Sequence, residues 1–344
     1  MLNYTYKKAG VDRKLRERAK KILKGFDLTF RYSRQGKIIK TPFNNLYPVG
    51  KGIYQVKTAD GVGTKILLAE LANSHGTIGI DAVAMVVNDC IRCGAVPLAL
   101  TNIIDTKKTT PKLIMEIKKG LIKGAKEAGC PIVGGEIADV PELLNCPYQL
   151  NCDCVGEVKK EDIINGEKIK AGDVVLGLRS AGVHSNGFTL LRKVLFKRWS
   201  GKYDAFDRPG GIKRPLVLEC LKPTRIYVKP FLKLREKFEI LGAVHITGDA
   251  YLKFKKLNPK VGFEFFNFRP QLIFGLIQEA GGISDKEMFK TFNMGWGFAV
   301  VVRKKEADRI LSWARDLKLG LEIIGQVVKE RKIIIRYKSK KMVL

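Results

Sequence analysis

The alternation of apolar and polar residues in the first half of the chain predicts a small set of strands and helices. Helical periodicity covers residues 11–25, with Asp12 placed to cap the start and Gly25 to end it. Residues 26–50 are polar and rich in turn formers, which predicts a loop with room for one hairpin. Further along, the pattern predicts strands at 54–59, 97–104, 131–133 and 152–158, and helices at 77–93 and 110–129.

The pattern restarts in the second half, after a charged and glycine-containing segment at 159–172. Strands are predicted at or near 174–178, 243–247, 262–266, 297–302 and 321–328, and helices at or near 188–197, 223–234, 270–281 and 303–317. Neither half alternates strictly between strand and helix, which predicts an α/β (α+β) fold of two mixed-sheet domains. We place the domains at 1–160 and 170–344, a division that suits the 344-residue length.

Composition narrows the class of protein. Hydrophobic residues make up 45% of the chain and charged residues 28%, a balance that excludes a disordered, collagen-like or disulfide-stapled protein. No apolar run reaches the length of about 18 residues that spans a membrane, and the first residues lack the apolar core of a signal peptide. The odd number of cysteines, 7, predicts reduced thiols and a cytoplasmic protein. Cys90 and Cys93 fall on a predicted helix, which favours core packing over metal binding.

The formal net charge of +29 raises three possibilities. A basic protein can bind nucleic acid, it can bind a phosphate-rich ligand, or it can carry an excess of surface lysine. The basic residues are spread along the whole chain, and no aromatic-interleaved RNA-binding pattern is present. Nucleic acid is therefore the least favoured partner.

The segment at 60–65 reads Asp-Gly-Val-Gly-Thr-Lys and follows a predicted strand. Gly61 and Gly63 let backbone N–H groups approach a phosphate, Lys65 adds positive charge, and Asp60 can hold a divalent cation. The Walker A and Rossmann patterns are absent. An ordinary glycine turn closed by an aspartate also explains the segment.

Three oxygen-bearing residues lie on the predicted helix at 77–93. Asp81 and Asp89 are eight residues apart, loosely on one side of the helix, and Asn88 lies between them. Two carboxylates and an amide suit Mg²⁺, which shares its coordination with phosphate oxygens. An N-cap role for Asp81 with a solvated Asp89 is equally consistent with the pattern.

Two further turns carry glycine beside a chemically active residue. Gly134 and Gly135 precede Glu136 after a very short predicted strand, which suggests a backbone anion nest with a metal-binding acid. His184 precedes a predicted helix, whose N-terminus attracts anions, and His245 ends a predicted strand; each is followed within three residues by glycine. A structural role for these histidines is as well supported as phosphate handling.

The motifs taken together resemble one family. In order, the chain carries Tyr-Lys-Lys-Ala-Gly-Val-Asp at 6–12, Asp-Gly-Val-Gly-Thr-Lys at 60–65, Thr-Ile-Gly-Ile-Asp at 77–81, Gly-Cys-Pro-Ile-Val-Gly-Gly-Glu at 129–136, His-Ser-Asn-Gly at 184–187, Pro-Thr-Arg-Ile-Tyr-Val-Lys at 223–229, His-Ile-Thr-Gly at 245–248 and Thr-Phe-Asn-Met-Gly-Trp-Gly at 291–297. This series closely resembles the phosphoribosylformylglycinamidine cyclo-ligases, or aminoimidazole ribonucleotide (AIR) synthetases, over nearly the whole chain. The string at 223–229 is specific to that family, whereas the glycine motifs are shared across a superfamily that includes selenophosphate synthetase and thiamine-monophosphate kinase.

The resemblance implies an AIR-synthetase-like homodimer of two-domain subunits, with the N-terminal sheets paired into a barrel-like core. It implies use of ATP and Mg²⁺ to convert formylglycinamidine ribonucleotide into AIR, ADP and phosphate in purine biosynthesis. The formyl amide oxygen is phosphorylated, the amidine nitrogen attacks, and phosphate leaves as the ring closes. The alternative is a paralogous ATP-dependent enzyme that acts on a different small phosphorylated substrate.

The resemblance also assigns residues to roles. It implies Mg²⁺ ligands at Asp60, Asp81 and Asp89. It implies nucleotide contacts at Lys24, Asp60, Gly61, Gly63, Thr64, Lys65, Asn88, Gly134 and Gly135, and substrate contacts at Ser185, Asn186, His245 and Thr247. Catalytic roles are implied for His184, Lys65 and Glu136.

The sequence departs from the family pattern in three places. Residues 33–52 carry few of the glycines expected in a nucleotide-covering loop, Gln149 replaces an acid, and Asp249-Ala250 replace a glycine pair. All three lie near expected ligand surfaces. A carboxylate at Asp249 is expected either to repel substrate phosphate or to bind another group.

Overall fold

The computed structural model describes residues 4–344, apart from the side chain of Lys24. The chain forms two mixed sheets, one of six strands from the first half and one of seven from the second. None of the helices in this range combines the length and the apolar character needed to cross a membrane.

The first sheet has the strand order β1-β2-β3-β6-β4-β5. Its strands are β1 (Ile39–Lys40), β2 (Asn45–Gly50), β3 (Ile53–Gly61), β4 (Val96–Thr106), β5 (Ile132–Asp139) and β6 (Tyr148–Lys159). Only β4 and β5 pair in parallel, because α4 connects them. The helices of this half are α1 (Arg13–Leu23), α2 (Ile66–Leu71), α3 (Ile78–Ile91) and α4 (Pro111–Ala128).

Helix α3 forms the centre of the first domain. Every residue of α3 except Asp89 is buried, which leaves that carboxylate as its one side chain open toward solvent. The helix packs closely on α4, since a β-carbon added at Gly79 would lie 2.3 Å from the backbone nitrogen of Leu121. Helix α4 begins at the N-cap Thr110, which accepts from the Leu113 amide, and ends at Gly129 with φ +70°.

The second sheet has the order β13-β12-β9-β11-β7-β10-β8. Its strands are β7 (Val174–Arg179), β8 (Gly242–His245), β9 (Gly262–Phe265), β10 (Trp296–Val302), β11 (Leu321–Val328), β12 (Ile333–Tyr337) and β13 (Lys340–Val343). Its helices are α5 (Phe188–Leu195), α6 (Leu216–Cys220), α7 (Val228–Lys237), α8 (Phe254–Leu257), α9 (Leu272–Gly281), α10 (Asp285–Thr291) and α11 (Ala307–Asp316). Strand β10 is buried along its whole length, as its continuous apolar run predicts.

The structure confirms the predicted α/β fold with two mixed sheets, and it corrects several elements. The helices expected at 77–93 and 110–129 are α3 and α4. The strand expected at 131–133 is much longer, because β5 continues to Asp139. The segment at 26–50, expected to be a loop with room for one hairpin, carries the β1–β2 hairpin and in addition a 3₁₀ helix (Lys24–Tyr32).

Candidate functional site

A polar cavity of about 420 Å³ opens where α1 and α3 meet the second domain. Charged side chains line it, namely the cations Arg16, Lys20, Arg92, Lys253 and Lys256 and the carboxylates Asp60, Asp89 and Asp249. Cations outnumber carboxylates, so that the cavity favours an anionic ligand. We call this space the polar cavity below.

Asp60 and Asp89 line the polar cavity together. Asp60 lies at the end of β3, where its Oδ1 accepts from the Gly61 amide at 2.8 Å. Burial and the negative charge of Asp89 raise the pKa of Asp60. Burial also opposes ionisation of Asp89, but Arg92 and His245 outweigh it and hold the pKa of that carboxyl well below its usual range.

Arg92 is held by the segment whose sequence departs from the family. The ring of Phe43 lies 4.8 Å from the Arg92 guanidinium, and the Asn44 side-chain oxygen accepts from Arg92 Nε at 3.2 Å. Arg92 also contacts Asp89 at 2.9 Å. The β1–β2 hairpin region therefore fixes a cation at the wall of the polar cavity.

Lys253 supplies a second enclosed cation. Its ammonium donates to the His245 carbonyl at 3.1 Å and to the Thr247 hydroxyl. Burial lowers the pKa of Lys253 to about 8; the negative charge of Asp89 limits that shift, while Arg92 adds to it. Lys253 therefore loses its proton at a lower pH than an exposed lysine.

Two predicted substrate contacts, Asn186 and Thr247, line the polar cavity. His245 lies behind them and its Nδ1 is 2.9 Å from Asp89. Asn186 Nδ2 and His245 Nε2 are buried and have no hydrogen-bond partner among the described residues. Because an unpaired buried polar group is costly and Asn186 belongs to the cavity lining, the Asn186 side-chain nitrogen is available to a ligand there. The structure thus brings Asp60, Asp89, Asn186, His245 and Thr247 together.

Lys65 and Asp81 form a fully buried ion pair, with the ammonium 2.8 Å from Asp81 Oδ2. Asp81 Oδ1 also accepts from the backbone nitrogen and the hydroxyl of Thr224, both at 2.7 Å, and from Ser185 Oγ at 3.0 Å. Burial lowers the pKa of Lys65, and the Asp81 charge opposes that shift. The pair and its hydrogen bonds compensate two charges that would otherwise be buried alone.

In the structure the Lys65 ammonium is paired with Asp81, and Asp81 does not line the polar cavity with Asp60 and Asp89. The nucleotide contact expected of Lys65 and the Mg²⁺ ligation expected of Asp81 stay predictions. Among residues 4–344 there is no cluster of three or more histidine, cysteine, aspartate or glutamate residues that could hold a metal ion. Ser185 likewise contacts Asp81 and Thr224 rather than the polar cavity.

Asn88 connects α3 to the second domain. Its side-chain nitrogen donates to the Arg225 carbonyl at 2.9 Å, and its side-chain oxygen accepts from the Tyr227 amide at 2.8 Å. Asn88 is fully buried, and these two contacts use both polar atoms of its side chain. The string at 223–229, the most family-specific motif, is therefore the segment that docks on Asp81 and Asn88 of α3.

His184 is almost fully buried. It has a left-handed backbone (φ +64°), and its Nε2 accepts from the Ala181 amide at 3.1 Å. Burial holds the pKa of His184 well below its usual value. A β-carbon at Gly297 would lie 2.5 Å from the His184 ring, so the enclosure requires that glycine. His184 does not line the polar cavity.

The remaining predicted nucleotide residues are divided between two places. Gly61 ends β3, Gly63 has φ +67°, and the exposed Thr64 places its hydroxyl 3.4 Å from that of Thr189 on α5. The side chain of Lys24 lies outside the described residues. These positions follow Asp60 at the boundary between the two domains.

Gly134, Gly135 and Glu136 lie elsewhere. They are part of β5, the edge strand that pairs with β4, so they lie in a strand rather than in a turn. The anion-binding role expected of them stays a prediction. They line a separate, mainly apolar cavity of about 590 Å³ with residues of α4. Glu136 is exposed, and its Oε1 accepts from the next backbone amide at 2.9 Å.

Sequence reasoning missed the cations of the polar cavity. Arg16, Arg92, Lys253 and Lys256 belong to no recognisable motif in a chain with 63 basic residues. A usable signal was their position: Arg92 follows Asp89 by one helical turn, and Lys253 follows Thr247 closely.

Comparison with known proteins places both halves in one family. Residues 44–158 match the N-terminal domain of AIR synthase related protein, and residues 170–338 match its C-terminal domain. A phosphoribosylformylglycinamidine cyclo-ligase of Methanocaldococcus jannaschii is 40% identical, with 99% of each chain covered. The enzyme of the same name from Pyrococcus horikoshii is 43% identical, covering 95% of this chain and 96% of that one.

Solved structures show the same fold at low sequence identity. The chain resembles one in the crystal structure of a HypE–HypF complex (TM-score 0.66, 19% identity, 95% of this chain and 98% of that chain covered). It also resembles Thermotoga maritima PurL complexed with ADP (TM-score 0.59, 16% identity), covering 94% of this chain and 50% of that one. With both domains matched and near-full-length relatives at about 40% identity, the chain belongs to the phosphoribosylformylglycinamidine cyclo-ligase family.

Proposed function

We propose that this chain is an ATP-dependent cyclo-ligase that converts formylglycinamidine ribonucleotide into AIR, ADP and phosphate. Relatives carrying that enzyme name are matched over nearly their full length. The structural observation that carries the proposal is the polar cavity, which is lined by five cations and three carboxylates. Both reactants bear phosphate groups, which such a cavity binds and neutralises.

The reaction needs an activated oxygen and a positioned nitrogen. The formyl amide oxygen attacks the γ-phosphorus of ATP, and ADP leaves. The amidine nitrogen then attacks the formyl carbon, the carbon–oxygen bond breaks, and phosphate leaves as a proton is lost from nitrogen. Arg92 and Lys253 stabilise the negative charge on the transferred group, while Asn186 and Thr247 orient the substrate so that the second step is intramolecular.

Asp60 and Asp89 fit a magnesium ion that arrives with the nucleotide. Mg²⁺ is commonly bound by one or two carboxylates together with phosphate oxygens rather than by a complete protein cage. Asp60 suits this role because its raised pKa reflects a partly desolvated carboxylate that a nearby cation would stabilise. When bound, Mg²⁺ supplies positive charge to the transferred phosphoryl group.

We also propose a homodimer that pairs the first sheets. Tyr47, Val96 and Ile103 are 40%, 37% and 48% exposed. Each of the three pairs across the sheet with a polar residue, on the sheet face turned away from α3 and α4. A sheet face with apolar side chains that its own chain does not cover fits a second copy.

The free thiol state of all seven cysteines supports the expectation of a cytoplasmic protein.

The activity is tested by incubating the protein with Mg-ATP and formylglycinamidine ribonucleotide. AIR is followed through its diazotisable amine and ADP through a coupled assay. We expect equal amounts of both products from the wild type, a loss of about 100-fold or more in kcat for Asp60→Asn, and no change for Asp308→Asn, an exposed acid at the start of α11.

Other outcomes separate the alternatives. ADP without AIR would move the assignment to a paralogous enzyme with a different phosphorylated substrate. Neither product from a folded protein would refute the proposed activity. Equal activity in Asp60→Asn would remove the polar cavity from the reaction.

A further inference from the structure

Asp249 replaces a glycine of the family pattern, and the structure shows what its carboxylate contacts. The side chain lies at the rim of the polar cavity and is only 15% exposed. Its Oδ1 is 2.6 Å from Arg16 and 3.8 Å from Arg13, and its Oδ2 is 3.9 Å from Lys20. All three cations belong to α1, so that one carboxylate of the second domain meets three successive turns of that helix.

Helix α1 depends on such polar contacts. None of its residues is buried, and its apolar Leu15 and Ile22 are 65% and 80% exposed. Besides Asp249, the helix is attached through Arg13 to Glu287 at 2.9 Å, and through Glu17 to Lys256 at 3.5 Å. Within this chain, apolar packing therefore contributes little to where α1 lies. Ion pairs attach it, together with the hydrogen bond from Arg13 to the Thr291 hydroxyl.

The same contacts determine where two cations of the polar cavity lie. Arg16 and Lys20 line the cavity on one side and approach Asp249 on the other. We propose that Asp249 is a positioning residue, which holds α1 against the polar cavity and presents Arg16 and Lys20 to the phosphate groups of the reactants. The phosphate part rests on the proposed function, whereas the attachment of α1 does not.

A simple charge effect predicts the opposite sign. If Asp249 acted only through its negative charge, removing that charge would strengthen the binding of a phosphorylated substrate. If Asp249 acts by positioning Arg16 and Lys20, removing the charge frees α1 and weakens binding. The direction of the change in KM therefore distinguishes positioning from repulsion.

Asp249→Asn is the suitable variant. Asp249 has φ +66°, a left-handed conformation that asparagine adopts readily, so the local backbone is retained. Glu239→Gln is the matched control, because it removes the carboxylate of an exposed ion pair, Lys168–Glu239 at 2.8 Å, away from α1.

We expect Asp249→Asn to raise the KM for formylglycinamidine ribonucleotide roughly tenfold, the change that follows the loss of one charge-assisted contact, with a smaller effect on kcat. Arg16→Gln should also raise KM, and the double variant should lose less than the two single effects combined, because the Arg16–Asp249 contact is already lost in either single variant. A fall in KM for Asp249→Asn, or additive losses in the double variant, would overturn the proposal.

The attachment of α1 is measured without substrate, by the rate at which trypsin cleaves within residues 13–21. We expect cleavage several-fold faster in Asp249→Asn than in the wild type or in Glu239→Gln. Equal cleavage rates would show that Asp249 does not hold α1. Faster cleavage in a protein that forms neither AIR nor ADP would support the attachment while refuting the proposed activity.

Discussion

At the scale of single residues, the polar cavity is built from charges that are partly withdrawn from water. Arg92 is fixed by Phe43 and Asn44, and Lys253 by two oxygens of residues 245–247. Because these cations are already fixed and partly withdrawn from water, their side chains do not have to become ordered when phosphate binds. This arrangement favours stabilisation of a phosphoryl group during its transfer.

The first prediction concerns Lys253 and pH. The pKa of its ammonium is about 8, a balance of burial with Asp89, Arg92, Asp249 and Asp60. The cation is present below that pH and is lost as pH rises through it, so that the affinity for phosphorylated substrate should fall as the pH rises from about 7 to about 9. KM measured across this range checks it. Lys253→Arg should abolish the inflection, and a KM for the wild type that does not change with pH would contradict the role of Lys253.

The second prediction separates a structural from a metal-binding role for Asp81. Asp81→Ala leaves the buried Lys65 unpaired, which should lower the free energy of unfolding by about 3–5 kcal/mol. Lys65→Met combined with Asp81→Leu should lose much less, because neither charge remains. Urea unfolding measures both. An unchanged unfolding midpoint for Asp81→Ala, with activity lost, would instead restore Asp81 to the Mg²⁺ site.

At the scale of elements, α3 connects the parts of the site. Its Asp81 and Asn88 hold the 223–227 segment of the second domain, and its Asp89 meets His245 and the polar cavity. Helix α3 is positioned by its packing against α4. Glycines lie where the two helices cross, so that the helix backbones approach each other closely.

The third prediction tests that crossing. Gly79→Ala places a β-carbon 2.3 Å from the Leu121 backbone nitrogen, so the helices must separate, and we expect destabilisation of about 3 kcal/mol or more. Gly275→Ala is the matched control: it lies inside α9 with nothing within 4 Å, and should stabilise by up to about 1 kcal/mol. Thermal unfolding of both variants checks the pair. Similar effects of the two substitutions would contradict the account of the crossing.

Elements were more predictable from the sequence than contacts. Capping at Thr110 and Gly129 marks α4, and the apolar run at 296–302 marks β10. The sequence predicts too short a β5 because glycine is a poor strand former. The glycines of β5 lie in the strand because it pairs with β4. The burial of Asp81 against Lys65 could not be predicted from the sequence, because it depends on residues far away in the chain, at 222–224.

At the scale of the whole molecule, two domains meet along α3 and enclose a cavity that neither domain completes alone. Asp60 and Asp89 come from the first domain, and Asn186, Thr247 and Lys253 from the second. The polar cavity accounts for little of the net charge of +29, since its five cations are accompanied by three carboxylates.

The fourth prediction concerns assembly. If the first sheets pair across a dimer, Ile103→Asp should place a charge in that interface and shift the protein toward monomers at micromolar concentration. Sedimentation velocity measures the change. A wild type that is monomeric, or an Ile103→Asp variant that is as dimeric as the wild type, would contradict pairing through this face.

The central claim, that the amide oxygen of the substrate is phosphorylated and leaves as phosphate, is tested most directly with an isotope. Formylglycinamidine ribonucleotide labelled with ¹⁸O in the formyl group is converted with Mg-ATP, and the inorganic phosphate is analysed by mass spectrometry. We predict one ¹⁸O atom in the phosphate for each AIR formed. Unlabelled phosphate accompanying AIR formation would contradict the mechanism proposed for this chain.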